Sequence, residues 1–534
     1  MLWLIVLSFV KWFDAKKSSS DWSVGFVFGI DSPIITPNAN HDTQDRIQMN
    51  PTAQFLHRPK TKIVCTLGPA TSSEAEIRSL IESGMSIARL NLSHGDRQQH
   101  AIAADRVRKV ANSIGVPVGI MVDVPGIKYR TGVLASGVIN IKKNDRLTLT
   151  SRDVVGTPEL VAVTPPGIHR DVTVGAQLML DDGFMELRVL GVSDLDVDCE
   201  VVRGGRLTER RGVATPGRTP SQSFPDQRAK DALEFAAKQE ADFVALSTIT
   251  TVKNIEVARE ILGQHGLKNP YVISKIERPE AVDNFDSILD ASDGIMVARG
   301  DMGVEVPLSD VPVIQKDIIA RCNAKGKPVI TATQMLESMI KSPVPTRAEV
   351  TDVANAIFDG TDAIMLSGET SIGDYPDEAV AVMVEVATKA EEALPYDRML
   401  VEKRGQTEPH TDDAIAYNAC QTAHQLNASV IVAFTESGST AGRVSKYRPR
   451  SRILALTPSE RGERRLTLRW GVMPVTIPAI TSVDDFFAQC ERMAVEVCQL
   501  QEDSIVVLVA GLPIGVPGGT NLLRVLSISE QEQF

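Results

Sequence analysis

The chain of 534 residues is long enough for three or four domains, and its 43% content of hydrophobic residues is typical of a globular protein. Its formal net charge of −12 argues against a protein that binds nucleic acid non-specifically. The six cysteines are scattered without a CxxC pair, which argues against a disulfide framework and against a zinc site. Reduced thiols of this kind predict a cytoplasmic protein.

The N-terminal residues 1–58 differ in composition from the rest of the chain. The apolar run 2–10 is too short to span a bilayer, and it lacks the basic start and cleavage site of a signal peptide. The polar residues that follow predict a poorly ordered extension, and we expect no contact with a membrane. Because Met49 lies just before the organised sequence, we expect the native protein to begin near that residue.

From residue 61, short apolar runs alternate with helical patterns such as 227–239 and 347–358. Short, continuous apolar runs predict the buried strands of a parallel sheet. The eight-fold alternation predicts an α/β fold: a parallel (β/α)8 TIM barrel formed by residues 59–127 and 223–390, with its site at the carboxyl ends of the strands. The predicted strands are residues 62–65, 86–90, 118–122, 243–246, 272–275, 295–298, 329–332 and 363–366.

Residues 128–222 interrupt this alternation. Short valine-rich strands are separated there by glycine and aspartate turns, which predicts an inserted antiparallel, β-barrel-like domain. Basic residues, Arg130 and Arg211, lie near its two junctions. Arginines on a hinged domain above a barrel mouth predict a lid that closes on phosphates and excludes water. Ordinary surface arginines are the alternative, which we favour for Arg210.

Residues 391–534 have the alternating pattern of an open α/β domain. The predicted strand 430–434 ends directly before a helix, and free amides and hydroxyls at a helix N-terminus form a phosphate pocket. The sequence there offers no acid–base groups, so we expect an effector site, with the loop 511–521 folding over it. Plain helix capping is the alternative. The candidate effector residues are Thr435, Ser437, Ser439 and Thr440.

Charged side chains follow two of the predicted barrel strands. Lys275 and Glu277 are two residues apart at a strand end and so point to the same side. Arg299, Gly300 and Asp301 follow the next strand. Charges buried there are costly unless they are paired or bind a ligand. Two carboxylates beside a lysine suit a magnesium ion that holds a phosphorylated substrate, whereas a structural ion pair is the alternative.

Polar residues also follow the other strands, so we expect all of these side chains to lie at one mouth of the barrel. They are Arg89, Asn91, Ser93, Asp123, Ser247, Thr333, Ser367 and Glu369.

Several motifs in this order closely resemble the pyruvate kinase family, from residue 61 to the C-terminus. The most specific are TLGP (66–69), RLNLSHG (89–95), ISKIE (273–277), MVARGDMGVE (296–305), TATQMLESM (331–339), PTRAEV (345–350) and MLSGET (365–370). The resemblance implies transfer of a phosphoryl group from phosphoenolpyruvate to ADP, which gives pyruvate and ATP in the last step of glycolysis. It also implies a homotetramer with a phosphorylated allosteric effector.

The resemblance assigns a role to each strand-end residue. Glu277 and Asp301 would hold Mg²⁺, and Lys275 would stabilise charge on the transferring phosphoryl group and on the enolate. Arg89 would clamp phosphate. The amides of Gly300 and Asp301, with the hydroxyl of Thr333, would take the substrate carboxylate, and Thr333 would begin a proton relay to the enolate carbon. The implied contacts to the nucleotide are Arg130, Arg211 and His94.

One departure from the family concerns a monovalent cation. The residues that match the family's potassium pocket are Asn91, Ser93, Asp123 and Val124. The glutamate that often accompanies potassium dependence is Lys128 here. Because a fixed ammonium group can supply the charge of a bound potassium ion, we predict activity without a monovalent cation.

Other departures concern Thr248, Thr250 and Ala214. The first two replace an aromatic residue and an arginine near the mouth, and the third replaces an asparagine at the lid hinge. These changes leave two alternatives open. One is a non-catalytic relative that senses metabolites through its C-terminal domain, and the other is a barrel lyase of phosphoenolpyruvate or pyruvate. The identity of the effector also stays open.

Overall fold

The computed structural model describes residues 58–218, 224–480, 482–513 and 519–528. The predicted N-terminal extension before Arg58, the expected start near Met49 and the tip of the loop predicted above the effector site lie outside these residues. The described strands, in chain order, are β1 (Lys62–Thr66), β2 (Ile87–Asn91), β3 (Gly119–Val124), β4 (Tyr129–Thr131), β5 (Val138–Ile141), β6 (Arg146–Thr150), β7 (Leu160–Thr164), β8 (Gln177–Leu180), β9 (Met185–Val192), β10 (Asp196–Arg203), β11 (Gly205–Thr208), β12 (Gly212–Ala214), β13 (Phe243–Leu246), β14 (Val272–Ile276), β15 (Gly294–Ala298), β16 (Val329–Ala332), β17 (Ala363–Leu366), β18 (Val430–Phe434), β19 (Arg452–Thr457), β20 (Val472–Thr476), β21 (Ile505–Gly511) and β22 (Thr520–Ser527).

Helices separate most of these strands. Ser73 caps the first of them: its side chain accepts from the amide of Glu76, whose carboxylate accepts from the amide of Ser73. In the described residues, no helix has the length and apolar character that a membrane span requires. The α-helices are Glu74–Ser83, Arg97–Ile114, Ile168–Asp171, Gln227–Lys238, Val252–Gln264, Pro279–Asp283, Phe285–Ala291, Arg299–Glu305, Val311–Lys325, Arg347–Asp359, Gly368–Ser371, Pro376–Glu392, Tyr396–Lys403, Thr411–Gln425, Ser439–Lys446, Glu460–Leu466 and Val483–Cys498.

The predicted parallel barrel is confirmed. Its eight strands close in the order β1-β2-β3-β13-β14-β15-β16-β17, and every neighbouring pair is parallel. Every residue of β3, β14 and β15 is buried, as expected for apolar strands covered by helices. The carboxyl ends of all eight strands therefore open at one mouth.

The segment between β3 and β13 forms a second closed barrel of seven strands around its own apolar core. Its neighbours are antiparallel, as predicted, except that β6 and β7 run parallel. Residues 151–159 cause this exception, because they carry the chain back to the edge where β6 began. Two strands of the same chain segment, β5 and β11, pair with each other as a separate two-stranded sheet.

The sheet of the C-terminal domain has five strands in the order β20-β19-β18-β21-β22. The first four are parallel, and β22 is an antiparallel edge strand. The open α/β pattern is thus confirmed, although the sequence pattern did not reveal β20 and β22. Pro474 lies within β20, and a proline is tolerated there because β20 is also an edge strand.

Candidate active site

Lys275 lies at the centre of the barrel mouth. It is the fourth residue of β14 and is buried, with Nζ 2.9 Å from Glu277 Oε1 and 3.3 Å from Asp123 Oδ1. Nζ also donates to the hydroxyl of Ser247 at 2.8 Å. Burial alone would lower the pKa of Lys275, but the carboxylates of Asp123 and Glu277 outweigh it and raise the pKa above its usual value. The ammonium group therefore stays charged.

Asp301 joins this cluster from the short helix after β15. Its Oδ1 lies 2.5 Å from Nζ of Lys128, and the same ammonium is 3.8 Å from Oε2 of Glu277. Burial would raise the pKa of Asp301, but the charges of Lys128 and Lys275 outweigh burial and lower it. The carboxylate of Asp301 is thus ionised, and it shares the ammonium of Lys128 with Glu277.

Glu277 is oriented from the main chain. Its Oε2 accepts from the backbone amide of Thr248 at 3.1 Å, and Thr248 has a left-handed φ of 56°. Because the amide makes this contact, the loss of an aromatic side chain at Thr248 does not remove it.

Arg89 forms the opposite wall. Its Nε and Nη2 atoms contact Asp123 Oδ2 at 2.9 and 2.8 Å, and Nη1 donates to Thr66 Oγ1 at 2.9 Å. Burial would raise the pKa of Asp123, but Lys275 and Arg89 outweigh it and hold the pKa low. Asp123 therefore aligns two buried cations beside each other, which favours an anionic ligand between them.

Thr333 lies across the mouth with a strained backbone. Its φ of 67° is rare for a β-branched residue, and such strain clusters at functional sites. Arg299 holds this conformation, because Nη2 donates to the carbonyl of Thr333 at 2.7 Å while Nη1 pairs with Asp352 at 2.7 Å. The amide of Gly300 donates to Thr333 Oγ1 at 2.7 Å. The sequence motif contained Arg299 but did not reveal this clamp, since the contact depends on neighbouring strand ends.

The donor set fits a magnesium ion. Oε1 of Glu277 is buried and accepts no hydrogen bond in the described part of the chain, although it is ion-paired with Lys275. Among the described residues, no three His, Cys, Asp or Glu side chains form a complete metal cage. Mg²⁺ commonly takes one or two carboxylates and fills its other positions with phosphate and water, which matches Glu277 and Asp301.

Comparison with known proteins identifies this arrangement. The family model "Pyruvate kinase, barrel domain" matches residues 58–380, and "Pyruvate kinase, alpha/beta domain" matches residues 413–526. The chain belongs to the pyruvate kinase family. A pyruvate kinase of Staphylococcus haemolyticus is 43% identical over 475 residues, which cover 88% of this chain and 81% of the relative.

Pyruvate kinases from other sources agree with this assignment. One of Staphylococcus aureus is 43% identical over 476 residues and covers 88% of this chain and 81% of the relative. The crystal structure of a pyruvate kinase from Cryptosporidium parvum has a TM-score of 0.82 at 36% identity and covers 89% of this chain and 97% of that chain. The chain is therefore a phosphotransferase. These matches support the catalytic interpretation over a non-catalytic relative and over a lyase.

The residues that match the nucleotide contacts of pyruvate kinases lie around the mouth. Arg130, in β4, donates to the carbonyl of Arg210 at 3.1 Å. Arg211 is exposed and pairs with Asp181 at 3.3 Å. His94 is exposed in the loop after β2, and burial of its ring, then the charges of Arg130 and Arg89, lower its pKa. Its imidazole is therefore neutral near pH 7.

The residues predicted to form a potassium-type pocket lie at and just after the ends of β2 and β3. Asn91 and Asp123 are register partners on β2 and β3, and Asn91 Oδ1 accepts from the amide of Ser93 at 3.2 Å. Val124 is buried at the end of β3. The ion pairs of Lys128, however, are with Asp301 and Glu277. The sequence did not predict that Lys128 would contact the carboxylates of Asp301 and Glu277.

The candidate effector residues lie at the start of the helix Ser439–Lys446. Thr435 Oγ1 accepts from the amide of Gly438 at 2.9 Å, and the hydroxyls of Thr440 and Thr520 are 2.8 Å apart. Both threonines are buried and serve internal contacts. Ser437 is exposed and Ser439 is half-buried. No side chain caps this helix, so its first amides stay open to a ligand.

Proposed function

We propose that phosphoryl transfer from phosphoenolpyruvate to ADP takes place at the cluster of Lys275, Glu277 and Asp301. The observation that carries this proposal is the buried ammonium of Lys275, which lies between the carboxylates of Asp123 and Glu277 at the barrel mouth. Such a cluster neutralises oxygen charge, which is the main requirement of phosphoryl transfer. The test is ADP-dependent formation of pyruvate from phosphoenolpyruvate by the purified chain.

Glu277 and Asp301 would hold Mg²⁺, which would supply Lewis-acid charge for the phosphoryl transfer. The chain's own cations act beside it. Lys275 neutralises charge that moves from the phosphoryl group to the enolate, and it stays protonated because its carboxylate neighbours raise its pKa. Arg89 holds the phosphate in line, since Asp123 fixes its guanidinium from behind.

The other side of the mouth positions the substrate carboxylate and supplies a proton. The amides of Gly300 and Asp301 at the start of the helix Arg299–Glu305, with the hydroxyl of Thr333, take the carboxylate. The Thr333 hydroxyl then relays a proton: it gives its own proton to the enolate carbon and takes one from solvent water, which yields pyruvate. The clamp by Arg299 supports this role, because it keeps Thr333 in place at the cost of backbone strain.

We assign nucleotide binding to Arg130, Arg211 and His94, and lid closure to residues 128–222 between the barrel parts 59–127 and 223–390. Arginines on a separate small barrel with its own core suit a lid that excludes water. We also propose a homotetramer, by family likeness, which light scattering would detect as about four times the chain mass of 57.9 kDa. All six cysteines are free, which supports a reducing compartment such as the cytoplasm.

We expect the enzyme to be active without a monovalent cation. The charge of Lys128 is permanent: burial would lower its pKa, but Asp301 and Glu277 outweigh burial and raise it. We expect full turnover in buffer free of sodium and potassium, and for Lys128→Gln a loss of about tenfold that potassium partly restores. Negligible turnover of the unmodified enzyme, restored by potassium, would show that the prediction is wrong.

We propose that the C-terminal domain, residues 391–534, binds a phosphorylated effector at Ser437 and Ser439. Its identity, sugar phosphate or nucleotide, is open to a screen on the activity assay. We expect Ser439→Asp to raise the effector concentration for half-maximal response about tenfold or more, because the added charge repels phosphate. Ser459→Asp is the matched control, since Ser459 caps the helix Glu460–Leu466 and aspartate caps equally well. An equal response in both variants contradicts the site.

A further inference from the structure

A cavity of about 250 Å³ lies beside the barrel mouth and is lined partly by the loop after β2. Ser93, Gly95 and His100 form one wall, and Arg228 and Pro125 lie on others. The helices Arg97–Ile114 and Gln227–Lys238 both begin at this cavity. Each of these helices is capped by an aspartate, Asp96 or Asp226, so an anion in this cavity would depend on Arg228 for its countercharge.

Arg228 is the cation of this cavity that lacks a partner. It is exposed, and in the described part of the chain its guanidinium makes no ion pair or hydrogen bond. The neighbouring Arg97, in contrast, pairs with Asp231 at 2.8 Å. The carboxylate in the wall, Asp96, accepts from the amide of Gln99 and so caps its own helix. Among the described residues, Asp96 is thus engaged by its own helix and forms no ion pair with Arg228.

Arg228 also lies close enough to two candidate nucleotide contacts to act on them. Burial lowers the pKa of Arg130, and Arg228 is the strongest of the charges that lower it further. Burial, Arg130 and Arg89 lower the pKa of His94, and Arg228 adds to this effect. Like charges gathered at one place destabilise a protein unless an anion joins them. Arg228 thus adds to the positive charge around Arg130 and His94.

We propose that Arg228 is a further nucleotide-binding residue, which contacts the diphosphate of ADP from the cavity while Arg130 contacts it from the lid. This inference rests on the proposed function. A diphosphate carries several negative charges and needs more than one cation, and an arginine matches its paired oxygens better than a single point charge. An exposed helix arginine is more often simply solvated, but here it lines a cavity that also contains Ser93 and Gly95, the two neighbours of His94.

The test measures steady-state kinetics of Arg228→Gln, Arg228→Lys and Lys230→Gln. Lys230 is exposed on the same helix and is the matched control. We expect Arg228→Gln to raise KM for ADP about tenfold, with KM for phosphoenolpyruvate and kcat changed less than twofold. Arg228→Lys should recover much of this loss, and Lys230→Gln should match the unmodified enzyme.

Direct binding separates this proposal from the proposed function. Titration calorimetry with MgADP alone should give a dissociation constant about tenfold weaker for Arg228→Gln than for the unmodified enzyme. Unchanged ADP binding, an equal loss in Lys230→Gln, or an equal rise in KM for both substrates overturns the role of Arg228. Absence of turnover in the unmodified enzyme would instead overturn the proposed function.

Discussion

Replacing Lys275 by methionine is expected to lower kcat about 1,000-fold, because a preorganised charge at a developing oxyanion contributes on that scale. Methionine preserves much of the length and volume of the side chain, so that the change removes mainly the charge. Glu277 and Asp123 lose one counter-charge, although Arg89 continues to pair with Asp123. KM for phosphoenolpyruvate should change far less than kcat, since the lost interaction strengthens mainly in the transition state.

The matched control is Lys403→Met, which removes another buried lysine. Its Nζ donates to the carbonyl of Lys446, and burial, followed by the charge of Arg448, lowers its pKa to about 7. This variant should keep kcat within about twofold. A melting curve is needed for both proteins, because loss of one partner from a buried ion pair costs about 3–5 kcal/mol of stability. A folded Lys275→Met variant with ordinary kcat would contradict the assigned role.

Replacing Glu277 by glutamine is expected to lower activity at least about 100-fold and to weaken Mg²⁺ binding by a similar factor. The amide has the shape of the carboxylate, but it carries no charge and offers one oxygen where two were present. The backbone contact from Thr248 can persist on that oxygen. Binding of Mn²⁺ as a magnesium substitute, followed by electron paramagnetic resonance, measures the metal separately from turnover.

Glu305→Gln provides the control for this second result. Glu305 lines the same cleft between the lid and the barrel, but its partner is Arg278 at 3.7 Å. We expect Mn²⁺ affinity and kcat of this variant within about twofold of the unmodified enzyme. If Glu277→Gln bound Mn²⁺ as tightly as Glu305→Gln does, the carboxylates would be a structural ion pair and not a metal site.

The barrel was predictable because its signal is local. Each strand is a short apolar run with helical periodicity on both sides, and parallel strands buried on both faces require such runs. The pairing of strands in the inserted domain was harder to predict from the sequence. The parallel pair β6 and β7 depends on where residues 151–159 return the chain, and no feature of either strand encodes that path.

The active site was likewise predictable only in part. Spacing alone placed Lys275 and Glu277 on one side of a strand end, since alternate residues of an extended chain point in the same direction. Spacing could not show that Lys128 would reach Asp301, because this contact depends on how the first strand of the lid crosses the barrel mouth.

The amino-acid sequence by itself determined the eight-stranded barrel, the inserted domain, the family and the row of charges at the strand ends, because each arises from periodicity or from adjacent residues. Only the tertiary structure decided the clamp of Arg299 on Thr333 and the place of Arg228 in the wall of a cavity. A charged residue on a helix looks the same in sequence whether it faces solvent or a binding site. Its function depends on which charges the fold gathers around it.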